Sequence, residues 1–226
     1  KAVDEQIAKE EKAKSDPLEA VKKAQAEIEK LIKDQKDTKE KTEQTKGTQT
    51  EKMPNLAKEE KSLAKRTEAV KNAPLPDDKA QEPLTKAKEA MDKASKALDD
   101  KKGMESVKNQ TEAIKKLEEA KKALDEKRAE IEKRRDQIAK LEKAAEKLDQ
   151  LAKEQQKVGD EARENDKKGD DDTKQLQKEQ SEIKPEARKV AEDVKDLAPK
   201  AAEKIDQSGE KMEATSEKLE KKELDR

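Results

Sequence analysis

Apolar residues in this 226-residue chain recur at the spacing of a helical seam and not in long continuous runs. Between residues 104 and 166, one row of positions seven residues apart begins at Gln110, and a second row begins at Val107 and Ile114. A seven-residue spacing is typical of a coiled coil or a slim helical bundle. The first row comprises Gln110, Leu117, Leu124, Ile131, Ile138, Ala145 and Ala152.

Proline and glycine divide this pattern into segments. Asp16 followed by Pro17 is typical of a helix N-cap and first helical position, and Gly103 is expected to close a turn. Four long helical segments follow, at 2–46, 53–101, 104–166 and 174–224. The expected interruptions are breaks at 47–52 and 73–78, a loop at 167–173, and proline breaks at Pro185 and Pro199.

These segments predict an all-α fold, an elongated antiparallel helical bundle or coiled coil built from long helices. We expect a first helical hairpin at 1–103 and a second at 104–226. If the chain folds back at Gly103, Pro76 faces Ala129, in a zone where the apolar stripe is thin. A hinge or partner site there is one interpretation, and a solvated stretch of long helix is the favoured one.

The chain also repeats itself. IEKLIKDQKD starts at Ile28 and LDQLAKEQQK starts at Leu148, so 148 − 28 = 120 residues separate them. We therefore predict an internal repeat of about 120 residues, one architectural unit used twice. Residues 223–226 match 102–105, so we expect the parent protein to continue with another long helix. Further matched pairs are Leu56 with Leu176, Leu63 with Ile183, Val70 with Val190 and, at an offset of 121, Met91 with Met212.

Composition supports long solvated helices. Half of the residues are charged, with 56 basic against 57 acidic side chains, and only 29% are hydrophobic, whereas about 45–50% is usual for a globular domain. This balanced charge creates no broad field to attract nucleic acid or anionic lipid. No apolar stretch approaches the roughly 18 residues that span a bilayer, and no signal peptide is evident.

The residue inventory excludes most catalytic chemistry. The chain has no His and no Cys, so the usual general bases, nucleophile pairs and zinc sites cannot be built. The sequence therefore predicts no enzyme, no catalytic, cofactor-binding or metal residues, no cofactor and no small-molecule substrate. Ser62 with Lys65, and Ser181 with Lys184, match the S-x-x-K spacing of penicillin-binding enzymes. No KTG or SDN accompanies them, so placement on a helix surface is favoured.

Two charged clusters are candidate binding sites. Asp166 and residues 170–172 could offer oxygens to Ca²⁺, but the spacing of an EF-hand is missing and a solvated loop is favoured. A small basic cluster is neutralised by interleaved acids and has no aromatic residue with which to stack bases, so nucleic-acid binding is not predicted. The cluster comprises Arg128, Lys133, Arg134 and Arg135.

The stretch AMDKASKALDDKKGMESVKNQTEAIKKLEEAKKAL, residues 90–124, has the form M-x-x-A, a polar turn, then Q-x-x-A-I-x-x-L-x-x-A. With LAKEQQKVGDEARE from Leu151, it resembles the helical-hairpin repeats of large bacterial proteins, notably planctomycete ones, and of a membrane-protein family of unknown function. The resemblance implies a bacterial origin and an envelope location. It implies no activity.

These observations favour a non-enzymatic structural or scaffolding module, a spacer within a larger bacterial protein assembly. Its partners are expected to be proteins, or further copies of itself, joined through Leu/Ile/Ala seams, with no nucleic acid and no direct membrane insertion. One alternative is a hydrophilic protective, desiccation-type chain that is disordered in isolation. Another is a bacterial surface protein that binds a partner protein. The compartment stays open, with the cell envelope or an extracytoplasmic location slightly favoured.

Overall fold

The computed structural model describes residues 16–45, 50–168 and 174–220. These residues form six α-helices, one short 3₁₀ helix at Thr50–Lys52 and no strand, so the predicted all-α class is confirmed for this part of the chain. The helices are α1 (Pro17–Gln44), α2 (Met53–Lys71), α3 (Gln81–Asp99), α4 (Gly103–Lys168), α5 (Lys174–Val194) and α6 (Pro199–Glu220).

Local chemistry sets the helix ends. Asp16 caps α1, because its Oδ1 accepts a hydrogen bond of 2.8 Å from the Leu18 amide, and Pro17 occupies the first helical position as predicted. The turn between α3 and α4 differs from expectation. Lys101 takes the left-handed conformation with φ 59°, and Gly103 is the first residue of α4. The Lys102 amide donates to the Ala97 carbonyl at 2.7 Å, as in a Schellman C-cap.

The expected interruptions at 73–78 and before Pro199 are present, whereas the one at Pro185 is not. The predicted break at 73–78 lies within the non-helical connection at 72–80. Residues 46–49 and 169–173, and the ends of the first and last predicted segments, lie outside the described residues. Pro185 lies inside α5, where the sequence predicted a break, and the helix continues to Val194. Burial of Ile183, Ala187 and Val190 on one face of α5 stabilises the helix across the hydrogen bond that proline cannot make.

Contacts divide the chain into two compact units, Lys1–Lys133 and Arg134–Arg226. The division lies within α4 and not at the predicted hairpin boundary of 103/104. The reason is that the first part of α4 carries Ala113, Leu117, Ala120 and Leu124, which are buried in the core of the first unit.

Unit 1 is a four-helix arrangement of α1, α2, α3 and the first part of α4. Its core is built from leucine, alanine, isoleucine, valine and two methionines, Met53 and Met91, without any aromatic ring. Asp77, just before α3, pairs with Lys127 of α4 at 3.7 Å. This pair agrees with a chain that folds back antiparallel near residue 102.

Unit 2 contains the rest of α4 together with α5 and α6. Its main core joins all three helices, and a small second cluster extends it near the turn between α5 and α6. No described helix is both long and apolar enough to cross a bilayer. The main core comprises Leu151, Val158, Leu176, Ile183, Ala187 and Val190, with Ile205 and Met212 of α6 packed against it.

Candidate interaction surfaces

A buried polar layer crosses the core of unit 1. Glu60 of α2 is fully buried, and its Oε1 accepts hydrogen bonds from Gln35 Nε2 of α1 at 2.7 Å and from Gln110 Nε2 of α4 at 2.6 Å. Gln110 Nε2 also donates to Thr42 Oγ1 at 3.0 Å. The layer therefore ties three helices together through side chains that lie among apolar residues. We call Gln35, Thr42, Glu60 and Gln110 the polar layer.

The polar layer favours a neutral carboxyl group. Burial raises the pKa of Glu60 to about 7, against the opposing hydrogen bonds from Gln110 and Gln35. Within the described part of unit 1, Glu60 Oε2 and the Gln35 and Gln110 Oε1 atoms are buried and lack a hydrogen-bond partner. An ionised Oε2 would hold charge without a donor, whereas a protonated Oε2 is itself a donor in a site that contains two acceptors.

Unit 2 contains a smaller polar contact. Gln155 of α4 and Gln180 of α5 form reciprocal side-chain hydrogen bonds of 2.9 and 2.8 Å. These positions lie 120 residues after Gln35 and Glu60, which form the α1–α2 contact of the polar layer. We call Gln155 and Gln180 the polar pair. It is neutral, because glutamine replaces the carboxylic acid.

An ion pair between neighbouring helices shows the same offset with its charges exchanged. In unit 1, Arg66 of α2 bonds Glu27 of α1 at 2.8 Å and also Asp34 at 2.6 Å. In unit 2, Glu186 of α5 pairs with Lys147 of α4 at 3.5 Å. Position 147 follows 27 by 120, and 186 follows 66 by 120. The contact is thus kept while the sign of each partner is reversed.

Each unit has a groove at this ion pair. Groove 1 measures about 600 Å³ and groove 2 about 430 Å³. Every residue that lines groove 2 lies 120 positions after one that lines groove 1. Groove 1 is lined by Ala20, Lys23, Ala24, Glu27, Arg66, Ala69, Val70, Ala73 and Pro74. Groove 2 is lined by Lys140, Lys143, Ala144, Lys147, Glu186, Lys189, Val190 and Asp193.

The two grooves differ in their chemistry. Lysines at 140 and 189 replace Ala20 and Ala69, and Asp193 replaces Ala73, so groove 2 is charged where groove 1 is apolar. Groove 1 therefore offers apolar contact area rimmed by charge, which is the composition of a surface that packs against another protein.

The second half of α4 carries apolar residues on an open face. Ile138 is 54% exposed and Leu141 is 36% exposed, and Ala145 and Ala152 are exposed as well. Leu148 is half-buried against the core of unit 2. These five positions alternate by three and four residues along one side of the helix, and we call them the open stripe.

The structure gives no support for the charged and S-x-x-K motifs as sites. Ser62 and Lys65 are exposed, the Ser181 hydroxyl donates to the Lys178 carbonyl, and Lys184 pairs with Glu213 of α6. Each of these side chains is therefore a helix-surface group. Nothing in their geometry assembles a nucleophile with a base.

Only part of the acidic cluster falls within the described residues, and the basic cluster lies on α4. Residues 170–172 lie outside the described residues, and in the described part of the chain no three acidic residues are grouped so as to hold a metal ion. Arg128 pairs with Glu132 one turn away at 2.9 Å, which illustrates how interleaved acids neutralise the basic cluster.

The sequence did not reveal the polar layer. The signal was present, because Glu60 lies within the apolar series Leu56, Leu63 and Val70 of α2, at a position whose neighbours on the same face are all buried. Gln110 likewise starts the seven-residue row of α4. A charged or amide residue at a seam position is the mark of a buried polar contact.

Comparison of the chain with protein-family models, with curated proteins and with solved structures finds no match.

Proposed function

We propose that this chain is a non-enzymatic structural module, a spacer or scaffold within a larger bacterial protein assembly, built from one helical unit used about twice. In this proposal the long helices form an elongated bundle, and function depends on length and on lateral contact with other proteins. The bacterial and envelope setting comes from the resemblance to helical-hairpin repeat proteins.

The observation that carries the proposal is that cross-helix contacts recur at an offset of 120 residues. Residue types recur at this offset as well, but the contacts are the stronger observation. The Gln35–Glu60 hydrogen bond matches the Gln155–Gln180 pair, and the Arg66–Glu27 ion pair matches Glu186–Lys147. A chance echo in a Lys/Glu-rich sequence could align letters. It would not align both members of two different cross-helix contacts, so the offset supports a duplicated tertiary unit.

The non-enzymatic part of the proposal rests on composition. With no His and no Cys in the chain, catalysis would have to rely on Ser, Thr, Lys, Asp, Glu or Arg. Glu60 is the one such residue that is both buried and strongly shifted within the described residues. It lies in a filled core with amide neighbours, so it suits a structural role better than a reactive one.

Groove 1 favours a second candidate function, a surface protein that binds a partner protein. The groove is apolar, about 600 Å³ in volume and open, and Arg66 and Glu27 at its edge could orient a partner. A spacer with lateral contacts and a partner-binding surface protein share this feature. They differ in whether the isolated chain alone binds a separate partner protein.

The test is small-angle X-ray scattering on the 226-residue chain over a concentration series. We expect a rod-like profile with a maximum dimension of roughly 100 Å at every concentration, because α4 alone has 66 residues, each of which adds about 1.5 Å to its length. The same sample in guanidinium serves as the unfolded control. A profile that matches this control in plain buffer would overturn the module and favour the protective, disordered chain.

A further inference from the structure

The open stripe of unit 2 has a covered counterpart in unit 1. Subtracting 120 from its five positions gives Leu18, Val21, Gln25, Ile28 and Ile32, on one side of α1. Leu18 is 7% exposed and both Val21 and Ile28 are 0% exposed, whereas Ile138 and Leu141 of the open stripe are 54% and 36% exposed. The same helical face is therefore buried in one unit and open in the other.

The first part of α4 covers this face in unit 1. Gln25 Nε2 donates to Asp125 Oδ1 at 2.6 Å, Lys121 pairs with Glu29 at 2.7 Å, and residues 110–124 supply the apolar side of the contact. Further along, Thr42 accepts a hydrogen bond from Gln110. Along this contact the residue numbers of α4 decrease as those of α1 increase, so the first part of α4 runs antiparallel to α1.

Unit 2 has no such cover among the residues that the structure describes. It contains three helices, the second part of α4 with α5 and α6, where unit 1 contains four. The surface also keeps part of the charge pattern. Asp149 follows Glu29 by 120 positions and forms an exposed pair with Lys153 on its own helix, and a lysine from a partner could take the place of Lys153 in this pair.

We propose that the open stripe is a docking site for one amphipathic helix of the kind formed by residues 103–133, supplied from outside residues 1–226 and lying antiparallel to α4. The proposal rests on the duplicated unit of the proposed function. The partner helix would carry alternating alanine and leucine along one face, as Ala113, Leu117, Ala120 and Leu124 do, and a lysine placed to meet Asp149.

A second copy of this chain is a poorer occupant. In each copy, residues 103–133 are already held in unit 1 by the core and by the Gln110 hydrogen bonds of the polar layer. An exchange between copies would have to break this buried contact before it could form the new one. A helix that is free before docking has no such barrier.

The experiment adds a fluorescein-labelled synthetic peptide of residues 103–133 to the full chain and follows fluorescence anisotropy. We expect saturable binding of one peptide per chain. Leu141→Lys should weaken the affinity at least about tenfold, the equivalent of about 1.4 kcal/mol, because a charge would replace a seam residue that is already exposed in the free chain. Gln150→Lys is the matched control, since position 150 is exposed on the same helix but lies off the stripe.

Three results would overturn the proposal. Equal binding to the Leu141→Lys variant would mean that the peptide exchanges into unit 1, and no binding to the folded chain would remove the site. Sedimentation showing a dimer of the unliganded chain that Leu141→Lys dissociates would assign the stripe to a second copy. Scattering on the same sample separates the two proposals, because a folded rod that binds no peptide contradicts only this one.

Discussion

Replacing Glu60 by glutamine should remove a specific dependence of stability on pH. Glu60 is fully buried in the polar layer, and its pKa is about 7 in the folded chain, compared with 4.5 for an unperturbed glutamate. A difference of about 2.5 corresponds to about 3 kcal/mol, at about 1.4 kcal/mol for each pH unit. Unit 2 already has a glutamine at the matching position, Gln180, so the substitution has a precedent in the same chain.

The sign of the effect follows from the direction of the shift. Below pH 4.5 the carboxyl is protonated in both the folded and the unfolded chain, and its contribution to stability is fully present. Between about pH 4.5 and 7 the unfolded chain loses this proton while the folded chain keeps it, so the free energy of unfolding falls as the pH rises. Above about pH 7 both states are ionised and the loss is complete.

The assay is urea unfolding followed by circular dichroism at a series of pH values from 4 to 8.5, since the chain has no Trp or Tyr to report by fluorescence. The other acidic residues also titrate, so the quantity of interest is the difference between the wild type and Glu60→Gln. We expect the wild type to lose about 3 kcal/mol relative to the variant between pH 4.5 and 8. The loss should affect the transition of unit 1 only.

The opposite substitution is the matched test. Gln180→Glu should introduce the same pH dependence into unit 2, because a carboxyl group would then face Gln155 in a buried site. A difference between wild type and Glu60→Gln that stays constant to within about 0.5 kcal/mol across this pH range would refute the reasoning. Such a result would mean that water reaches the carboxyl or that its neighbours rearrange to solvate the charge.

Three further predictions concern stability, each measured by urea unfolding. Lys101→Gly should stabilise unit 1 by about 1 kcal/mol, because glycine adopts the left-handed conformation without steric cost; an unchanged midpoint would contradict this. Pro185→Ala should stabilise unit 2 by up to about 3 kcal/mol by restoring a helix hydrogen bond, with a decrease as the contrary result. Leu117→Ala should lower the free energy of unfolding by about 2–5 kcal/mol, because Leu117 is fully buried. Leu141 is 36% exposed, so Leu141→Ala should lower it by less than about 1 kcal/mol. Similar losses in the two variants would contradict the assigned burial.

Sequence patterns predicted much of the local structure. The cap at Asp16, the break at 73–78 and the helical character of the long segments follow from side-chain chemistry that acts within a few residues. Gly103 was expected to close the turn after α3, but the residue in the left-handed conformation is Lys101, because the register of the C-cap depends on where α3 stops packing. The sequence pattern favours glycine at a helix end, so it indicates Gly103 and not Lys101.

The tertiary contacts were harder to predict. Burial of Glu60 depends on Gln35 and Gln110, which lie 25 and 50 residues away in sequence. Because half of the residues in the chain are charged, a buried glutamate on a helix is hard to distinguish in the sequence from the many glutamates on helix surfaces. The division into units within α4 was missed for a related reason. The seven-residue row continues across the boundary unchanged, so periodicity alone cannot show which neighbours each part of the helix has.

The polar layer also bears on the register between helices, which the apolar seam alone determines only weakly. A seam of leucine and alanine that repeats every seven residues matches itself again when one helix slides by seven residues, so apolar packing alone discriminates weakly between registers. Such a slip of α1 against α2 in one of its two directions would place Glu60 beside Ile28 instead of Gln35. A buried carboxyl would then lose a donor, at a cost of about 1–3 kcal/mol. In unit 2 the slip would set Gln180 beside Leu148 and break both amide hydrogen bonds. For the spacer proposed above, which must have one length, selection for register would explain why each unit keeps a buried polar contact even though its core would bury more apolar area without it.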